Sequence, residues 1–163
     1  MDFYENIKEY SKQHLRTCQL KQLAILEEID KICKRHHIEY WLDGGSLLGA
    51  VRHGGFIPWD DDIDIGMSLE DEKRFEEIAP KELPAWLFLQ TPKTDPGSKE
   101  PITKIRDRNS LYIENGDDFS HPYVKGIFVD IFPFVDYPDI SRRWIKTLTR
   151  GISKSYSILH HQH

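Results

Sequence analysis

Four aspartates crowd into the run Asp60-Asp61-Asp62-Ile63-Asp64-Ile65. If that run is a strand, alternation places Asp60, Asp62 and Asp64 on one face and Ile63 and Ile65 on the other. Like charges on one face repel, so folding alone does not favour the arrangement. A divalent cation neutralises it, and hard ions such as Mg²⁺ or Mn²⁺ take carboxylate oxygens. A calcium-binding helix–loop–helix is excluded. Counting from Asp60, its loop needs glycine at position 6 and usually glutamate at position 12, where this chain has Ile65 and Asp71. Gly54, Gly55 and Pro58 also forbid the incoming helix.

Upstream, the apolar Tyr40-Trp41-Leu42 reads as a short strand that runs straight into Gly44-Gly45-Ser46. Glycines permit a tight turn and close approach of a backbone to a phosphate. Ser46 is expected to cap a helical segment over Leu47–Val51, turning free N–H groups toward an anion. The spacing therefore predicts strand, glycine turn, short helix, glycine loop and acidic strand across residues 40–67.

Gly44-Gly45-Ser46 followed by Asp62-x-Asp64 resembles the signature of the nucleotidyltransferase fold. The longer run from Leu42 to His53 and from Phe56 to Asp64 closely resembles the LicD branch, which includes the fukutin-like proteins. The resemblance covers the helix ahead of this run and continues more loosely to about residue 136. It implies an α/β enzyme, a mixed sheet flanked by helices. The implied activity moves a phospho-alcohol such as phosphocholine from a CDP-activated donor to a hydroxyl of a glycan or lipid-linked glycan. Mg²⁺ or Mn²⁺ would sit on Asp62 and Asp64. Gly44, Gly45 and Ser46 would cradle the donor phosphates, and Arg52, Lys104 and Arg106 would offset charge on the leaving nucleotide. A nucleotidyl transfer to a sugar or small-molecule acceptor is the alternative. An inactive nucleotide-binding module is a third reading. Family members run longer, so the chain is expected to be a short or truncated version of one LicD-like domain over residues 1–163.

Two further segments bear on that site. Lys104, Arg106 and Arg108 alternate with Thr103, Ile105 and Asp107, so a strand there carries a basic stripe. On spacing alone this is a phosphate contact or a solvated face; Lys104-Ile105-Arg106-Asp107 is similar to a segment of LicD proteins. In the apolar run Val124–Phe134, Asp130 stands between Phe128 and Phe132 on one face. A lone carboxylate there costs several kcal/mol unless paired or metal-bound. The resemblance makes it the third ligand, on a strand beside the Asp62–Asp64 strand, or the group that accepts the acceptor's proton. A choline group would favour an aromatic cage, for which Tyr40, Trp41, Trp59, Trp86 and Tyr112 are candidates.

The elements that must position these residues follow from periodicity. Cys18, Ile25, Ile29, Ile32 and Cys33 recur at helical spacing, predicting a scaffold helix over 13–37. Ser68 is expected to cap a second helix that buries Leu69, Phe75 and Ile78 and stops at Pro80. Residues 86–90 read as a strand, 91–101 as a mobile loop, and 101–114 as two strands joined by a turn at Asp107–Ser110. Residues 141–157 read as a basic amphipathic helix, and His160, His161 and His163 are set aside.

Composition narrows the function. A net charge of −5 over 163 residues argues against nonspecific nucleic-acid binding. No apolar run approaches the ~20 residues of a transmembrane helix, which leaves only peripheral membrane contact. The N-terminus has no secretory pattern, so a cytoplasmic location is expected. Cys18 and Cys33 match no metal or redox spacing.

Overall fold

In a computed structural model, residues 3–98, 101–114, 117 and 120–136 are described, with side chains from residue 14 onward. The element order is α1 (Phe3–His36), β1 (Tyr40–Leu42), α2 (Gly44–His53), β2 (Asp64–Ser68), α3 (Leu69–Glu82), β3 (Leu87–Gln90), β4 (Thr103–Asp107) and β5 (Phe128–Phe134). The strands form one five-stranded mixed sheet in the order β1-β2-β5-β4-β3. The last strand in sequence is thus the middle strand in space. β5 runs parallel to β2 and antiparallel to β4. This is the expected α/β architecture.

The core lies between the sheet and the helices. Ile25, Ile29, Ile32 and Cys33 of α1 pack with Ile65, Met67, Val129 and Ile131, joined by Phe75 and Ala79 of α3. These side chains are essentially removed from water, worth roughly 1.5–3 kcal/mol for each large one. Helix α1 starts well before residue 13, at Phe3, and His37 follows it in the left-handed region at φ 53°. Ser68 caps α3 as expected, accepting a bond from the Asp71 N–H at 3.0 Å. Pro80 does not end that helix. Only one donor is lost so near the terminus, and the Leu83 N–H still reaches the Ala79 carbonyl at 2.9 Å. The buried side of α3 also differs. Leu69 is exposed, while Glu72 is buried and accepts a bond from the Thr103 hydroxyl.

Three connections depart from expectation. Residues 91–98, the described part of the presumed mobile loop, are tied together. Thr94 Oγ donates to the Leu89 carbonyl, and Asp95 Oδ2 accepts from Gln90 Nε2 and the Val124 N–H. Residues 111–114 form no second strand; the Tyr112 N–H donates to the Lys125 carbonyl at 2.6 Å, and the Glu114 carbonyl accepts from the Asp117 N–H at 3.2 Å. β5 begins at Phe128 rather than 124, because Gly126 lies directly on the Asp107 carbonyl. A Cβ at Gly126 would come within 1.6 Å of that oxygen. The expected helix over 141–157 and the terminal histidines lie outside the described residues. No helix among the described residues is long and apolar enough to cross a membrane.

Candidate metal and phosphate site

The site grows from where three elements start. β1 ends at Leu42, Gly44 turns the chain with a φ of +50°, and α2 begins at once. Asp43 occupies the N-cap position, three residues before the expected cap at Ser46, and its side chain makes no capping bond. Ser46 is therefore inside the first turn. Its hydroxyl does not cap the helix but reaches across to accept the Asp64 N–H at 2.9 Å. The Asp43 N–H in turn donates to the Asp64 carbonyl at 3.0 Å. Both ends of the Asp64 peptide are thus fixed to the turn that opens α2.

Of the four aspartates of the acidic run, Asp64 alone belongs to a strand. Pairing with β1 stops at Leu42–Ile65, since the chain beyond Leu42 has turned into α2. Residues 60–63 consequently form a loop, and the expected alternation of Asp60, Asp62 and Asp64 on one strand face does not hold. The loop gathers Asp60, Asp61 and Asp62 instead, with one carboxylate oxygen of each within 4.8 Å of the others. Asp62, Asp64 and Asp130 do not form such a close triplet among the described residues. Two side chains of α1 hold the loop: Gln19 Nε2 donates to the Asp60 carbonyl at 2.8 Å and Gln22 Nε2 to the Asp61 carbonyl at 2.7 Å. From the other side the Tyr112 hydroxyl donates to Asp61 Oδ2 at 2.7 Å.

Asp130 lies where the sequence places it, on the strand next to Asp64. The two are direct register partners across β2 and β5, and the Asp130 N–H donates to the Ile63 carbonyl at 3.0 Å. Burial, then Asp62, Asp130, Asp43 and Asp60 in turn, push the Asp64 carboxyl up to about 6. Asp62 is shifted the same way by burial and by Asp60 and Asp61. Burial also lifts Asp130 to about 6, against the opposing pull of Lys104. Asp130 Oδ1 is enclosed, 3.2 Å from Lys104 Nζ but without an aligned hydrogen bond.

The basic stripe is neither an open phosphate surface nor a solvated face. All five residues of β4 are buried. Lys104 lies across from Asp130, over the Phe128 ring at 3.8 Å, and bonds Glu114 Oε1 at 2.9 Å. Arg106 is only 1% exposed, and its guanidinium meets Gln90 Oε1, the Gly126 carbonyl and Glu114 Oε2. Arg108 leaves the strand and covers the Phe88 ring at 4.5 Å. Arg52 is exposed in the last turn of α2, about 10 Å of helix rise from Gly45. The structure therefore brings Gly44, Gly45, Ser46, Asp62, Asp64, Asp130 and Lys104 together, and sets Arg52 and Arg106 apart. The aromatic candidates do not converge either. Tyr40 bonds Asp30, Trp41 packs on Phe134, and Trp59 is exposed.

The residues present fit a hard divalent cation. The donors are carboxylate oxygens, with Asp62 and Asp64 raised toward protonation by burial and by neighbouring aspartates, and Asp130 carries a buried oxygen with no aligned donor. The glycine turn leaves them room. A Cβ on Gly45 would meet Asp60 Oδ2 at 2.7 Å, so with any larger residue the Asp60 carboxylate would have to turn away from the start of α2. Asp43, Gln19, Gln22 and Glu114 belong to the site without having been singled out. A polar residue at an apolar helix spacing was the available signal for Gln22; Glu114 gave none.

The family described as LicD/FKTN/FKRP, nucleotidyltransferase domain, matches residues 37–160, beginning just beyond α1. Lipopolysaccharide cholinephosphotransferase LicD of Haemophilus influenzae is 49% identical over 67 residues, 41% of this chain and 25% of that protein. An uncharacterized protein of Rickettsia prowazekii is 40% identical over 77 residues, 47% of this chain and 28% of the other. Ribitol 5-phosphate transferase FKRP of Homo sapiens is 58% identical over 41 residues, 25% of this chain and 8% of that protein. The chain thus spans about a quarter or less of each of these relatives.

Proposed function

As the chain belongs to the LicD/FKTN/FKRP family, we propose that it is a metal-dependent transferase moving a phospho-alcohol group, of the phosphocholine kind, from a CDP-activated donor to a glycan hydroxyl. One observation carries the reading: Asp64 and Asp130 face each other across parallel strands, beside an acidic loop and against the glycine-rich start of a helix. The two relatives with named activities both transfer a phospho-alcohol, cholinephosphate and ribitol 5-phosphate.

Asp62 and Asp64 would hold Mg²⁺ or Mn²⁺, with Asp60 and Asp61 beside Asp62. A cation there supplies charge neutralisation on the donor pyrophosphate. The N–H groups of Gly44 and Gly45, at the unpaired start of α2, bind phosphate oxygens. Ser46 spends a lone pair on the Asp64 N–H and keeps its own proton to donate. The acceptor oxygen forms a bond to the phosphorus that bears the alcohol, and the bond from that phosphorus to the CMP oxygen breaks. Asp130 takes the acceptor's proton; a carboxyl near 6 can accept and release one at neutral pH. Lys104, beside Asp130, favours its ionised form and contributes positive charge at the site. Arg106 acts indirectly by holding Glu114 and Gln90.

The test is incubation with CDP-choline labelled in the choline and, separately, with labelled CTP, each with Mg²⁺ and glycan acceptors. Choline label on the glycan supports the reading. Nucleotide label on the acceptor from CTP would replace it with nucleotidyl transfer.

A further inference from the structure

We infer that Gln19 and Gln22 of α1 are positioning residues that fix the acidic loop for cation binding, an inference that rests on the metal-dependent reading above. Three carboxylates within 4.8 Å repel one another, and their loop carries few backbone bonds of its own. Something outside it must hold it closed. Gln19 and Gln22, three residues apart and hence on one helix face, donate to the consecutive carbonyls of Asp60 and Asp61. Both are buried, at 4% and 0% exposure. Arg16 Nη1 donates to Gln19 Oε1 at 3.1 Å, which orients the Gln19 amide with its NH₂ toward the loop.

The chemistry of the tie is specific. A lysine or arginine could also donate to a carbonyl, but its charge would occupy the field meant for a cation. α1 does carry Lys21 between the two glutamines, and that ammonium goes to Asp107 instead. From α1, among the described residues, the acidic loop receives neutral amides alone. Gln22 also pays for its place, because its Oε1 is buried with no donor. Burying an unpaired acceptor is destabilising and offsets what the Nε2 bond to the Asp61 carbonyl contributes, so stability alone gives little reason to have glutamine here rather than an apolar side chain of its size. Groups that orient metal ligands from behind typically govern affinity by 10–100-fold.

The experiment compares the whole chain with Gln19→Met, Gln22→Met and the double variant, methionine keeping the volume while removing the donor. Amide exchange at Asp60 and Asp64, and Mn²⁺ binding by electron paramagnetic resonance, are read beside the melting temperature. We expect the melting temperature of Gln22→Met to hold or rise, exchange at the two amides to quicken at least about tenfold while β4 is unchanged, and the Mn²⁺ dissociation constant to rise about tenfold or more. Unchanged exchange overturns the inference, and so does quickened exchange with Mn²⁺ affinity within twofold of wild type. A wild-type chain that binds no Mn²⁺ overturns the metal-dependent function instead; the exchange measurement then still decides whether the glutamines hold the loop. A uniform rise in exchange across the sheet marks a structural role and also overturns the inference.

Discussion

Asp130 has two neighbours across the sheet, Asp64 on β2 and Lys104 on β4, and its two flanks are built on opposite terms. On the β4 flank each ionic group has an internal partner. Lys104 and Arg106 divide Glu114 between them, and Arg106 also holds Gln90 and Gly126. On the β2 flank, carboxylates face carboxylates, and the ties that hold the loop are a hydroxyl and neutral amides. The same fold therefore completes its charges on one side and withholds compensation on the other. Withheld compensation is a cost to the folded chain by itself, and it is the side to which a cation and a phosphate can add.

The contrast is sharpest in substitutions that remove one group from each flank. Asp64→Asn should lower transfer by at least about 100-fold, and Asp62→Asn similarly, while the melting temperature holds or rises as mutual repulsion falls. Rates above a tenth of wild type in both variants would break the assignment of the β2 flank to the cation. Arg106→Ala should do the reverse. It strands a buried carbonyl, Gln90 Oε1 and one oxygen of Glu114, and should cost about 2–4 kcal/mol of stability in a urea titration. A loss under about 0.5 kcal/mol would show that the β4 flank is not the completed structure described here.

The glycine turn offers a finer probe. Gly45→Ala introduces a methyl 2.7 Å from Asp60 Oδ2, so the Asp60 carboxylate must turn away from the helix start. An increase of about tenfold in the donor's apparent dissociation constant is expected, with less effect on folding, since misplacement at a bound phosphate costs on the order of 1–2 kcal/mol. Wild-type donor affinity would mean that the turn and the loop act separately.

The smallest expected effect is a pH dependence. Asp64 and Asp130 sit near 6 in the fold against an ordinary value of 3.8, so the folded state binds protons that the unfolded chain has released. Their contribution to stability is therefore greatest below the unfolded value and is lost as pH rises toward and through 6. With chelator present, the melting temperature should fall by a few degrees between pH 4.5 and 6.5, and Mg²⁺ at pH 7 should restore it. A flat profile in chelator would remove the electrostatic cost from the β2 flank.

Much of this was legible in the chain itself. The glycine turn, the acidic run and Asp130 stand out because each breaks a local pattern; the cost of burying a lone carboxylate asks for a partner to Asp130, and the family resemblance places its strand beside that of Asp64. What was not legible depends on long-range partners. Lys104 and Arg106 alternate like a surface stripe, yet Glu114 and Gln90 bury them, and no spacing announces those partners. The helix start at Gly44 rather than at Leu47 was hidden because Ser46 has the chemistry of a cap but is claimed by Asp64. The acidic run looked like a strand until its neighbour, the end of β1, turned away.

The strand order carries a consequence for how the molecule is made. β5 is the last strand to be synthesised among those described, yet it fills the gap between β2 and β4. Until it inserts, neither flank of the sheet has its central partner, and Asp64 lacks the carboxylate across from it. The contact spans 66 residues of chain (130 minus 64), a large loop to close before any of the pairing is gained. A nascent chain that stops short of residue 128 thus exposes two unpaired strand edges and no complete site. Competence to bind and closure of the described sheet arrive in the same step, so a ribosome-tethered chain should acquire protease resistance and Mn²⁺ binding together once residue 134 has emerged.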